Sequence, residues 1–207
     1  MLLANNIYFK RNKIEILNNI NISISPNKIL YIQGKNGSGK TTLLKILTNI
    51  LKPKKGEVFW KGKNIKKNPF NYYKDVTFIM DNKTSNINLT VKENIMFWSK
   101  LFSSKTSIQQ INSALKLLSL DKYQNTLVGN LSYGEIKKLE LSRLIIEQKK
   151  LWILDEPYIG LDNYSIGLIN QSIINHVEKG GMTILTSHIP PDINDLEILN
   201  LDNYENS

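Results

Sequence analysis

Two hydrophobic periods alternate along the chain. Ile14 to Ile24 (IEILNNINISI) switches between apolar and polar residues after Leu17, the pattern of a half-buried strand. Pro26-Asn27 follows as a turn, and Ile29-Leu30-Tyr31-Ile32 is a short apolar strand running straight into a glycine-rich loop. From Lys40 to Leu51 the period is helical, with Leu43, Leu44, Leu47 and Leu51 on neighbouring turns, and Pro53 closes that helix. Gly56 to Trp60 and Val76 to Met80 read as further strands. The middle of the chain differs. Val91 to Leu101 and Ile108 to Leu118 are helical stretches joined by the polar linker Ser103-Ser104-Lys105-Thr106-Ser107, and a third helix is expected from Tyr133 to about Glu147. Beyond it come an apolar strand (Leu151 to Leu154), a helix (Tyr164 to Lys179) and another strand (Met182 to Thr186). Strand–helix alternation at both ends, around a helical insert, predicts an α/β protein with a parallel-sheet core and a helical subdomain.

Composition narrows the class without choosing a function. The 207 residues, 41% of them hydrophobic, suffice for one packed domain carrying a subdomain. No apolar run approaches the roughly 18 residues of a membrane span. The opening MLLANNIYFKRNK lacks the apolar core and cleavage site of a secretory signal. Without cysteine, disulfides and thiolate metal sites are excluded. The net charge of +9 is almost entirely lysine, since Arg11 and Arg143 are the only arginines. Lysine, asparagine and isoleucine are abundant together throughout, which reads as the codon bias of an AT-rich genome. Specific nucleic-acid surfaces more often use arginine forks, so no specific nucleic-acid partner is expected.

Chemistry enters at Gly34-Lys35-Asn36-Gly37-Ser38-Gly39-Lys40-Thr41, which satisfies G-x-x-x-x-G-K-[ST] between an expected strand and an expected helix. Glycines let consecutive N–H groups turn inward as an anion nest, and the helix that follows adds its positive end. Lys40 offers a point charge to the β- and γ-phosphates, Thr41 offers a hydroxyl to Mg²⁺, and Thr42 continues the loop into the helix. This motif predicts a bound nucleotide, with ATP and Mg²⁺ as cofactors, but kinases, GTPases and transport ATPases all share it. The second feature is Leu151-Trp152-Ile153-Leu154-Asp155-Glu156, an apolar strand ending in two carboxylates. In an open parallel sheet, ligands gather beyond the carboxyl ends of the strands. Asp155 then suits Mg²⁺ and Glu156 the polarisation of water for in-line attack. Read alone, such a pair is equally well a solvated strand end.

Leu131-Ser132-Tyr133-Gly134-Glu135 opens the helix before that strand, and here the chain resembles the ABC transporter ATPases, whose LSGGQ signature stands at the same place. Asp162, in Gly160-Leu161-Asp162, matches their D-loop, and His188, in Thr186-Ser187-His188, their switch histidine. The ordered set spans nearly the whole chain. It implies a P-loop NTPase ABC cassette over residues 1–207, with a mixed-sheet core and a helical subdomain inserted at about 86–146. It also implies a second copy of the cassette as partner: Ser132 and Gly134 would close over ATP held by the other copy's phosphate loop, and His188 would sense the γ-phosphate. Integral membrane subunits would be further partners, with the chain peripheral on the cytoplasmic face of the inner membrane or the matrix face of the mitochondrial inner membrane. Within the family the likeness is to ATP-binding subunits of the haem exporters of cytochrome c maturation, through LWILDEP, GEVFWKG, LTVKENIMFW and GGMTILTSH. Other ABC transporters, and soluble ABC ATPases acting on ribosomes or DNA, are the alternatives.

The chain departs from the family at four places. Asn82 stands where the Q-loop glutamine is expected, Tyr133 where a small residue is usual, and Glu135 where glutamine is usual. Arg11 aligns with the adenine-stacking aromatic, with Phe9 as a substitute. These differences leave an ATP-binding switch of low turnover open.

Overall fold

The computed structural model describes residues 1–101 and 107–204, so the linker expected at 103–107 lies, apart from Ser107, outside the described residues. In chain order the strands are β1 (Leu2–Arg11), β2 (Ile14–Ile24), β3 (Lys28–Gln33), β4 (Lys55–Trp60), β5 (Lys63–Asn64), β6 (Val76–Ile79), β7 (Leu151–Asp155), β8 (Met182–Thr186) and β9 (Leu196–Asn200). The α-helices are α1 (Lys40–Leu47), α2 (Pro69–Tyr73), α3 (Val91–Leu101), α4 (Ile108–Leu117), α5 (Tyr133–Glu147) and α6 (Asn163–Glu178).

Two sheets share the strands. A parallel sheet runs β6-β7-β8-β3-β9, and an antiparallel one runs β2-β1-β4-β5. Together with the helices they make an α/β fold with strands of both orientations. The parallel strands are apolar on both faces because both faces are covered. Ile29 and Tyr31 of β3, Trp152 and Leu154 of β7 and Leu185 of β8 point into one core, shared with α3, α4, α5 and α6. The alternate residues Leu30, Ile32, Leu151, Ile153 and Ile184 enter a second core, shared with α1 and the antiparallel sheet. The short parallel strands therefore lie between two apolar layers, while the helices of the subdomain stand on one side only.

The antiparallel sheet carries its own irregularities. Register slips occur in β1 between Ala4 and Ile7, and Asn6 and Asn19 hold positive φ of 52° and 50°. Asparagine tolerates the left-handed region better than other side chains that carry a Cβ. The two also bond each other, Asn6 Nδ2 donating to Asn19 Oδ1 at 2.8 Å. These bulges keep Leu2, Ala4, Ile7 and Phe9 all facing the core.

Helix α1, which leads away from the phosphate loop, stops at Leu47 rather than Leu51. Asn49 takes a left-handed φ of 59°, and the Ile50 and Leu51 amides turn back to the Lys45 carbonyl. That αL stop ends the helix several residues before Pro53. The last turn is fastened from outside by Tyr72, whose fully buried hydroxyl donates to the Leu47 carbonyl at 2.6 Å. Tyr72 in turn meets Trp60 edge-on, ring centroids 6.0 Å apart. Removing only that hydroxyl leaves a buried carbonyl without its partner. Tyr72→Phe is therefore expected to lower stability by about 1–2 kcal/mol, read as a lower denaturation midpoint in urea with the fold retained.

Candidate functional site

Because β3, β6, β7 and β8 are parallel, their carboxyl ends open on one edge of the sheet. From β3 the chain enters the loop Gly34–Gly39 and then α1. From β7 it reaches Asp155 and Glu156, from β8 Thr186, Ser187 and His188, and from β6 Met80, Asp81 and Asn82.

Gly39 holds φ 97° at the mouth of α1, and a Cβ there would press within 2.9 Å of Ile16 and Leu17. No other residue allows this combination of positive φ and close approach. The ammonium of Lys40 donates to the carbonyls of Gly34 at 2.6 Å and Lys35 at 3.0 Å, so it is folded back over the loop. The Ser38 hydroxyl is buried without a hydrogen-bond partner. The Lys35 amide donates to Asp202 Oδ1 at 2.9 Å, tying the loop to the short turn after β9.

Behind the loop, Asp155 Oδ1 accepts from Thr41 Oγ1 at 3.1 Å and from Thr186 Oγ1 at 2.9 Å. The next residue, Glu156, adopts a left-handed φ of 50°. A bulky non-glycine residue in that region is strained, and such residues gather at functional sites. Its amide is held at 3.2 Å by both the carbonyl and the hydroxyl of Thr186. The residue is 8% exposed, and Oε2 of its carboxylate accepts from the His188 amide at 3.0 Å. Oε1 has no hydrogen-bond partner and lies 3.5 Å from His188 Nε2. The histidine ring, about half exposed, stands at the edge of this pocket.

These residues fit a phosphate chain with a divalent ion. The nest, the buried Ser38 hydroxyl and the Lys40 ammonium suit phosphate oxygens. The hydroxyl of Thr41 and carboxylate of Asp155 are adjacent hard oxygens of the kind Mg²⁺ uses. Among the described residues no group of three or more His, Cys, Asp or Glu could hold a metal alone. An ion here would therefore draw further ligands from phosphate and water, as Mg²⁺ commonly does.

The remaining sequence candidates form a second, separate group. Ser132 caps α5 and builds a capping box with Glu135: the Glu135 amide donates to Ser132 Oγ at 3.3 Å, and the carboxylate accepts from the Ser132 amide at 2.7 Å and hydroxyl at 2.8 Å. A Cβ on Gly134 would lie 2.5 Å from the Gly160 carbonyl, so two backbones touch there. Tyr133, half exposed, covers Gly160 and lies 5.0 Å below the Lys83 ammonium. Asp162 caps α6 by accepting from the Ser165 amide at 2.7 Å and meets Lys138 at 3.3 Å. The Ser165 hydroxyl and amide, helped by Lys138, pull its carboxyl down to about 2. Among the described residues, no hydrogen bond joins this group to the phosphate loop.

One expectation changes. Phe9 is 6% exposed and packs in the second core, so it is not offered to a base; Arg11, at the tip of the β1–β2 hairpin, is exposed. Asn82 lies on the exposed loop after β6. Residues the sequence did not single out are Thr186, Asp202 and Lys137. Thr186 closes a predicted strand and could have been weighed as a partner for Asp155, whereas nothing local marked Asp202.

Comparison with known proteins identifies the family. The family model described as ABC transporter matches residues 17–159. The chain is 38% identical over 199 residues to a cytochrome c biogenesis ATP-binding export protein, CcmA, of Reclinomonas americana, covering 94% of this chain and 88% of the relative. It is 33% identical to the protein of the same name from Vibrio vulnificus, covering 91% and 92%. Among solved structures, an ABC transporter ATP-binding protein of Pyrococcus furiosus superposes with a TM-score of 0.84 at 27% identity, covering 98% of both chains. With the phosphate loop, the acidic strand end and the capped Ser132 helix in one fold, the chain belongs to the ABC transporter family as an ATP-binding and ATP-hydrolysing cassette.

Proposed function

We propose that this cassette powers an exporter used in cytochrome c biogenesis, with haem as the cargo, and that it works as one of two copies docked on integral membrane subunits. The observation that carries this reading is the 38% identity to the R. americana export protein across 94% of the chain. Among the described residues no helix is long and apolar enough to cross a membrane, and the membrane path is assigned to separate chains. The cassette would sit on the cytoplasmic face of the inner membrane, or the matrix face in mitochondria.

In this reading the loop amides of Gly34, Lys35, Asn36, Gly37, Ser38 and Gly39 cradle the β-phosphate, with Thr42 at the α1 end. Lys40 leaves the carbonyls of Gly34 and Lys35 to meet the β- and γ-phosphate oxygens. Thr41 and Asp155 hold Mg²⁺, which neutralises charge on those oxygens when bound. Glu156 accepts a proton from the attacking water, and its unpartnered Oε1 is the oxygen available for that task. His188 contacts the γ-phosphate beside it, and Asn82 approaches from the loop after β6. Ser132 and Gly134, at the positive end of α5, bind the γ-phosphate held by the other copy, with Asp162 at the contact between copies. Hydrolysis and phosphate release then part the copies.

The export reading is tested by expressing the chain in a bacterium deleted for its CcmA and staining for covalently bound haem. Restored c-type cytochromes are expected. Recovery from detergent extracts only with ribosomes or DNA would overturn it. For the site, Glu156→Gln should cut turnover about 100-fold or more while an ATP-bound dimer accumulates on size exclusion; undiminished steady-state hydrolysis would reject the role. Lys40→Ala, which removes charge-assisted contacts, should weaken nucleotide binding by about 10–100-fold, measured by titration with a fluorescent ATP analogue. Glu135→Gln keeps the capping box and removes a negative charge that would face the partner's phosphate. The repulsion at about 4 Å in water is about 1 kcal/mol, so half-maximal dimerisation should need roughly five-fold less ATP.

A further inference from the structure

Lys137 lies on α5, one turn beyond Gly134, and is 4% exposed with no hydrogen-bond partner for its ammonium. A buried cation of this kind is rare and costly, and is tolerated where opposite charge surrounds it. Four carboxylates act on it: Asp81 on the loop after β6, Glu140 on its own helix, and Asp155 and Glu156 at the end of β7. Burial nonetheless holds the ammonium below the ordinary lysine range, so desolvation outweighs their pull. Glu140 is already engaged, accepting from Thr84 Oγ1 at 2.5 Å and from the amides of Thr84 and Ser85 at 2.7 and 2.6 Å. That binds the loop after β6 to α5. Asp81, Lys83, Tyr133, Lys137 and Glu140 line one small cleft between loop and helix. Glu156, one of the charges that act on Lys137, has its Oε1 buried and without a hydrogen-bond partner as well.

A buried donor and a buried acceptor that interact by charge thus each lack a hydrogen bond, one carried by the helix that Ser132 caps and the other by the residue that follows β7. We propose that Lys137 is a positioning residue for hydrolysis: its ammonium orients the Asp155–Glu156 carboxylates for attack, and does so only when α5 is seated. The inference rests on Glu156 serving as the base. It makes turnover depend on the position of α5 within the same copy, a connection the Ser132 contact alone does not supply. Asn82, exposed on the loop above, has no comparable burial.

The test uses the full chain with MgATP, comparing wild type, Lys137→Met, Lys137→Gln, Lys137→Arg and Glu156→Gln. Lys137→Met is expected to lower kcat by about tenfold or more, with affinity for a fluorescent ATP analogue and melting temperature retained. Its ATP-bound dimer should persist about tenfold longer on light scattering, a readout that does not need fast turnover, and Lys137→Arg should recover part of kcat. A kcat and dimer lifetime within twofold of wild type in Lys137→Met would overturn the proposal. So would parallel loss of nucleotide affinity, or failure of both Lys137→Met and Lys137→Gln to fold, since either outcome makes the lysine architectural. Glu156→Gln turning over like wild type would remove the reading beneath it, whereas an inactive Glu156→Gln beside a normal Lys137→Met would sink this inference alone.

Discussion

One carboxylate oxygen ties the candidate site together. Asp155 Oδ1 receives hydrogen bonds from Thr41 at the head of α1 and from Thr186 at the end of β8. Three elements that are distant in sequence are therefore fixed at one point, on the edge where parallel strands end. Burial makes the arrangement strict, because a carboxylate inside the protein is tolerated only with its partners in place. Thr186 then reaches a second time, to the amide of Glu156, and so sets the backbone turn that aims the following side chain. The parallel sheet supplies the converging strand ends, and the two apolar layers around it hold them still.

The second group is built on different physics. The Ser132 cap, the Gly134–Gly160 approach and the Asp162 cap are surface features of two helix starts, held by backbone geometry more than by burial. Their separation from the phosphate loop suits half-sites completed between copies. The capping box also keeps the Ser132 hydroxyl occupied by its own helix until something more strongly charged arrives.

Much of this was readable in the sequence, for reasons that differ by element. The strand β7 and helix α5 were legible because an apolar run ending in two acids, and a Ser-x-x-Glu start, each carry a local signal. The phosphate loop was legible because its glycines serve a single geometric purpose. Strand β1 was not, since Asn6 breaks its alternation and a bulge restores it only in three dimensions. Nor was β9, whose half-buried edge pattern offers neither strict alternation nor a continuous apolar run. The end of α1 was misjudged because Leu51 continues the helical period while Asn49 has already reversed the backbone. Asp202 and Lys137 escaped notice for the same reason: their significance is contact across the fold, and no spacing announces it.

The close approach of Gly134 and Gly160 has a mechanical consequence. With no room for even a methyl group between them, the start of α5 cannot move toward the loop leading to α6 without displacing it. Each copy in a pair would then act as a stiff rocker arm between its own signature end and its Asp162 end.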